Sequence, residues 1–181
     1  MINSIILGFC VMIGSLPMFE HLAHHSNSQC KEVLAEGSLE HFVIDFPEEE
    51  QDLWQLKVEK SKANGQYFAI WCKDNQQDIE ERFVTVASPF LQEEPVDFGA
   101  VIEAFLAPVK SQPGVSWQIY EQNECDVLLG WKKEEEVCFA RLVLTSSALH
   151  SLVYSYRGAD AEQVDGQKWL FCLQNSFINH C

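Results

Sequence analysis

The first thirty residues carry one charged side chain, Glu20, and include an unbroken apolar run from Ile5 to Ile13. From His41 onward the pattern changes. Phe42, Ile44 and Phe46 alternate with His41, Val43 and Asp45, the period of a half-buried strand. Trp54, Leu56 and Val58 alternate in the same way, and Asn64-Gly65, suited to the positive φ of a tight turn, leads into Gln66 to Lys73. A hairpin is therefore predicted over Trp54 to Lys73, with a further strand over Arg82 to Ser88. Asp97 stands before Phe98, Val101, Ile102, Phe105, Leu106 and Val109, whose spacing predicts a helix capped by Asp97 and ended by Pro108.

Val115 to Tyr120, Cys125 to Trp131, Val137 to Leu144 and Leu149 to Tyr156 then predict a four-stranded antiparallel meander. A register pairing Trp131 with Val137 around a loop of residues 132 to 136 holds Cys125 and Cys138 far apart, so no bridge is expected between them. At the end, Asp160 and Gln163 read as a capping box ahead of Trp169, Leu170, Leu173 and Phe177 at helical spacing. Gly166 should weaken that helix relative to Ala, leaving Trp169 to hold it on the sheet. The order predicts an α+β fold over residues 31–181: one domain with an antiparallel sheet of about six to eight strands, an internal helix and a C-terminal helix packed on one face.

In element order, over residues 40 to 178, the chain resembles the PsbP and Mog1-like domains. The resemblance is carried by the hairpin Trp54 to Lys73, the helix Asp97 to Val109, the strands Val115 to Tyr156 and the final helix. It implies a non-enzymatic accessory or assembly factor that works through a surface.

Charge narrows the partners. Of 181 residues, 27 are Asp or Glu and 12 are Lys or Arg, a formal net charge of −15, while 47% are hydrophobic. That hydrophobic content excludes wholesale disorder. The lack of a Lys/Arg cluster excludes a nucleic-acid binder, which must neutralise phosphates. A basic or amphipathic protein partner is the complement.

Residues 1–30 read as an apolar leader and polar spacer, of signal-peptide length and followed by Gly14, Ser15 and Pro17. No Lys or Arg precedes the run, and His21 stands at −3 from Ala23, so export, a buried N-terminal segment and a retained anchor stay open. Because the elements after His41 form a closed set, residues 1 to 29 are expected to be dispensable for folding. No integral membrane domain is expected once the leader is removed. Seven cysteines, at 10, 30, 72, 125, 138, 172 and 181, contain no C-x-x-C spacing. Loss of Cys10 with the leader would leave an even number and permit disulfides; Cys72, Cys125, Cys138 and Cys172 read equally well as small buried apolar residues.

Candidate chemistry is sparse. His21, His24 and His25 could share a helix face, but Glu20 is the one carboxylate beside them, and a solvated segment is the preferred reading. Cys125 and His150 could meet across the sheet, yet Asp126 would suppress a thiolate. The acidic runs at 48–50, 80–81, 93–94 and 134–136 are expected in loops as a solvated rim. No catalytic, cofactor-binding or metal residues are assigned. Trp71 is out of phase with Phe68, Ile70 and Cys72, and Tyr154 and Tyr156 share the face of Leu152, so these three form the candidate interaction surface. Together these features predict a non-enzymatic binding or assembly protein exported to the periplasm or cell envelope, without cofactors. A cytosolic acidic adaptor or secretion chaperone holding a basic client, and a small hydrolase, are the alternatives.

Overall fold

A computed structural model describes residues 40–61, 66–73, 79–90 and 96–179. The leader, the three clustered histidines, Cys10, Cys30, Cys181, the Asn64-Gly65 turn and the 93–94 acidic pair lie outside the described residues. The elements run β1 (His41–Val43), a 3-10 helix (Glu48–Leu53), β2 (Trp54–Ser61), β3 (Tyr67–Lys73), β4 (Glu80–Pro89) and α1 (Phe98–Lys110). They continue with β5 (Ser116–Gln122), β6 (Asp126–Lys133), β7 (Glu136–Leu144), β8 (Ala148–Arg157), a 3-10 turn (Ala161–Gln163), α2 (Gly166–Asn175) and β9 (Phe177–Asn179).

Seven strands form one antiparallel sheet in the order β2-β3-β4-β8-β7-β6-β5, while β1 and β9 pair separately. The expected hairpin and meander are both present, and the class is α+β as the pattern predicts. The chain leaves the sheet at β4, crosses one face as α1, restarts at the far edge with β5, and folds back strand by strand until β8 pairs with β4.

The two helices do not share a face. α1 buries Phe98, Val101, Ile102, Phe105, Leu106 and Val109 against Val86, Val127, Leu129, Ala140, Leu142 and Leu149. α2 buries Trp169, Cys172 and Leu173 against Phe83, Leu128, Phe139, Leu152, Tyr154 and Tyr156. Val127 and Leu129 belong to the first set and Leu128 to the second, so side chains alternating across one strand serve opposite faces. The expectation of both helices on one face is corrected for this reason: the central strands are apolar on both sides and need a cover on both.

Local details differ as well. Asp97 caps α1 by accepting from the Ala100 amide at 3.2 Å, but Pro108 sits inside the helix, which runs on to Lys110. α2 starts later than expected. Asp165, and not Asp160, caps it, its carboxylate accepting from the Gln167 and Lys168 amides at 3.1 and 3.2 Å. Phe177 leaves the helix for β9, where it is exposed. The β6–β7 register pairs Trp131 with Cys138 and Lys133 with Glu136, one residue away from the expected one, because the ladder continues through the charged residues to a two-residue turn at Glu134 and Glu135. Among the described residues Cys72, Cys125, Cys138 and Cys172 are all free thiols; Cys138 and Cys172 are buried, Cys72 is half-buried, and Cys125 is exposed.

Gly166 is not the weak point its helix propensity implies. A Cβ there would lie 3.0 Å from Cζ of Phe139, and one on Gly130, paired with Phe139 in β6, would lie 2.9 Å from the same ring. The ring is clamped between two glycines and has no room to yield. Gly166→Ala should therefore destabilise by about 1 to 2 kcal/mol, in the range of core overpacking, where an exposed helix Gly→Ala would stabilise. Chemical denaturation of the variant checks the sign.

Candidate functional site

The α2 face carries three polar groupings. The first is an ionic cluster above an aromatic box. Trp169 stacks on Tyr154 with centroids 4.2 Å apart and meets Trp54 and Phe83 edge-on at 5.8 and 5.6 Å. Lys73 lies over both tryptophans and pairs with Glu50 at 2.7 Å and Glu81 at 3.1 Å. Lys168 pairs with Glu49 and Glu50, and the Tyr154 hydroxyl donates to Glu81 at 2.7 Å. The acidic runs at 48–50 and 80–81 are thus a solvated rim only in part: Glu48, Glu49 and Glu80 are exposed, but Glu50 and Glu81 are drawn inward by the lysines, and Glu81 is itself a strand residue. Both cations of this cluster are occupied by its own three carboxylates.

Its titration has a definite sign. Burial opposes ionisation of Glu50, but hydrogen bonds from Lys168 and Lys73 outweigh it and hold the carboxyl below its ordinary value of 4.5. Burial likewise disfavours charge on Lys168, yet Glu50 and Glu49 raise its pKa above 10.5. A depressed carboxyl contributes stability that is complete above its unfolded value and is lost as pH falls through the folded one. A raised lysine contributes below its unfolded value and loses that contribution as pH rises through the folded one. Thermal stability should accordingly fall on acidification below pH 4.5, and Glu50→Gln should make that acid limb shallower. Melting temperature measured against pH for both proteins is the check.

The second grouping involves His150. This ring is fully buried on β8, with Nε2 at 3.4 Å from both the Glu40 carboxylate and the Thr145 hydroxyl. Ser147 donates to the same Glu40 oxygen at 2.6 Å. Cys125 does not join it. β7 separates the two, since Cys125 accepts from the Leu144 amide while His150 pairs with Val143 on the other side of that strand. The thiols that are perturbed are perturbed upward: burial raises Cys72, pushes Cys172 up to about 12, and raises Cys138 well beyond the usual range. Such thiols resist forming a nucleophile.

The third is a polar concavity of about 520 Å³ at the end of β5 and β6. It is lined by Leu128 and Arg141 together with Glu121, Gln122, Asn123, Asp126 and Gln174. Arg141 is locked in place. It grips Asp126 through Nε at 3.1 Å and a terminal nitrogen at 2.6 Å, and its other terminal nitrogen donates to the carbonyls of Leu173, Gln174 and Ser176 at 3.0, 2.8 and 2.7 Å. Those carbonyls close the C-terminus of α2, so the side chain fastens the helix to the sheet. With its one guanidinium spent internally, the concavity offers Glu121 and carboxamides to a visitor.

The candidate interaction surface read from the sequence is corrected by burial. Tyr154 is 0% exposed and Tyr156 8%, both under α2, and Trp71 is half-buried against the same aromatic cluster. Among the described residues the exposed aromatics are instead Trp117 and Tyr120 on β5, Phe171 on α2 and Phe177 on β9. Among the described residues there is no grouping of His, Cys, Asp and Glu able to hold a metal ion, and no helix long and apolar enough to cross a membrane. Arg141 escaped the sequence reading, although a lone arginine between Ala140 and Leu142 in an apolar strand is a usable signal: a charge at that position requires a partner.

No family model and no curated protein sequence matches this chain. Among solved structures it is similar to LpqN of Mycobacterium tuberculosis, a protein involved in cell envelope biogenesis, with a TM-score of 0.55 over 81% of this chain and 87% of LpqN. The two share a fold. At 11% sequence identity the likeness to LpqN extends to the architecture and to nothing finer.

Proposed function

We propose that this protein is a non-enzymatic binding or assembly accessory of the cell envelope, acting through its acidic surface on a basic or amphipathic protein partner. The observation that carries this reading is the disposition of charge. Lys73, Arg82, Lys110, Lys132, Arg141 and Lys168 each pair with a carboxylate of the same chain; Lys57, Lys60 and Arg157 are exposed, but so are Glu48, Glu59, Glu121, Glu124, Glu134, Glu135, Asp160 and Asp165. Among the described residues a partner therefore meets more exposed carboxylates than exposed cations, and the field favours a cationic one. The raised thiols and the strand between Cys125 and His150 support binding over turnover. The envelope assignment and export rest on likeness to LpqN and on the leader, and the resemblance of element order to PsbP and Mog1-like domains points to the same kind of role.

Capture from lysate at low and physiological salt, read by mass spectrometry, tests the charge argument. The Debye length shortens from about 30 Å at 0.01 M to about 8 Å at 0.15 M, so basic proteins should be held at the first and depleted at the second. Acidic proteins held equally at both would overturn it, and turnover of an ester, peptide or glycoside panel by the pure protein would overturn the non-enzymatic reading. Cell fractionation with intact mass of the product tests export.

A further inference from the structure

Among the described residues β2 and β5 end the seven-stranded sheet, and the two edge strands differ. β2 carries Lys57, Glu59 and Lys60 at exposed positions. Lysines of this kind keep an edge strand from pairing with other chains, and since each edge strand has one register shift it is charge that separates the two. β5, by contrast, reads Ser-Trp-Gln-Ile-Tyr-Glu-Gln: it has no Lys, Arg or Pro, one carboxylate, and every residue but Ile119 exposed. Its register shift at Tyr120 turns that ring over Gly130 towards Phe139, on the same side as Glu121, which pairs with Leu128 at the mouth of the polar concavity. Trp117, paired with Trp131, lies on the opposite, α1 side.

We propose that β5 is a docking edge that receives an extended, cation-bearing segment of a protein partner as an eighth strand. The inference rests on the acidic-surface reading above and specifies its mode. An added strand gains main-chain hydrogen bonds along β5 and sets alternate side chains on the two faces. On the α2 side they meet the 40% exposed Tyr120 ring and the Glu121 carboxylate, a pair that suits Lys or Arg. On the α1 side they meet the 43% exposed Trp117, whose face is already taken by Lys110 at 4.4 Å, and an apolar residue fits there. The preferred segment thus alternates basic and apolar residues. Charge also selects against a second copy of this chain as the occupant, since two molecules of −15 each would have to approach edge to edge.

The test uses the full chain and two labelled eight-residue peptides, one alternating Lys with Val and one alternating Glu with Val, with amide hydrogen exchange as the map. Binding of the Lys peptide, refusal of the Glu peptide and new protection over residues 116–122, with none over 54–61, is the expected result. Trp117→Pro, which removes an outward-facing edge amide because Trp117 pairs with Trp131, a β6 residue whose own backbone bonds face β7, should abolish binding, and Glu121→Lys should weaken it about tenfold at low salt. Should Trp117→Pro unfold the chain, Glu121→Lys and the exchange map still decide. Salt-sensitive binding with protection elsewhere would overturn the docking edge and leave the acidic-surface reading standing. No binding of the Lys peptide at low salt would overturn both. Concentration-dependent protection of 116–122 without peptide would assign the edge to a second copy and overturn the cationic occupant.

Discussion

Trp169→Ala should cost about 3 to 5 kcal/mol of unfolding free energy, the range for deleting a large buried aromatic side chain. The residue is 3% exposed and touches what the α2 face has of a core: Tyr154 stacked beneath it, Trp54 and Phe83 edge-on, and Lys73 and Lys168 over its ring. α2 brings little stability of its own, being ten residues long with glycine as its first, so its place on the sheet depends on this contact and on Leu173. Removal would leave a cavity bounded by rings that cannot all move inward. It would also expose the Lys73–Glu81 pair to water. Urea denaturation should show a lower midpoint, with an unchanged slope if the variant folds. A loss below about 0.5 kcal/mol, typical of a surface position, would contradict the packing described.

How far the sequence reveals this fold depends on how local the cause is. The hairpin and the meander announce themselves through alternation, and the α1 stripe through helical spacing capped by Asp97, because those signals lie within ten or so residues. The two-faced arrangement was legible too, in Val127-Leu128-Leu129 and Val137 to Ala140, which are apolar without alternation and so demand cover on both sides. What could not be read is where long-range pairing overrides local preference. The start of α2 is set by Gly166 closing on Phe139, and the inward turn of Glu50 by Lys73 and Lys168, residues 23 and 118 positions away. Tyr154 and Tyr156 share a face as expected, but whether that face is open depends on a helix added later in the chain. The candidate site is likewise a matter of assembly, since the concavity joins β5, β6, β7 and α2, and the bareness of β5 matters only once β5 is known to be an edge.

Arg141→Ala should cost about 2 to 3 kcal/mol, less than the 3 to 5 of a fully buried pair because both partners keep some contact with water. Arg141 and Asp126 are 19% and 25% exposed at their side chains. The loss has two separable parts. One is the Asp126 carboxylate left without its bidentate partner; the other is the set of α2 carbonyls, of Leu173, Gln174 and Ser176, left without a donor. Asp126→Asn in the Arg141→Ala background removes the stranded charge, so the double variant should recover part of the loss and the cycle should show coupling. Arg141→Lys keeps the charge but lacks the planar fork, and should recover less than half, because a single ammonium cannot span both the carboxylate and the helix end. Amide exchange in residues 173–179 should quicken in each variant lacking the guanidinium, since β9 follows directly from the helix end that Arg141 fastens. If Arg141→Ala and Asp126→Asn proved additive with no change in that exchange, Arg141 would be a surface ion pair and not the tie between sheet and helix.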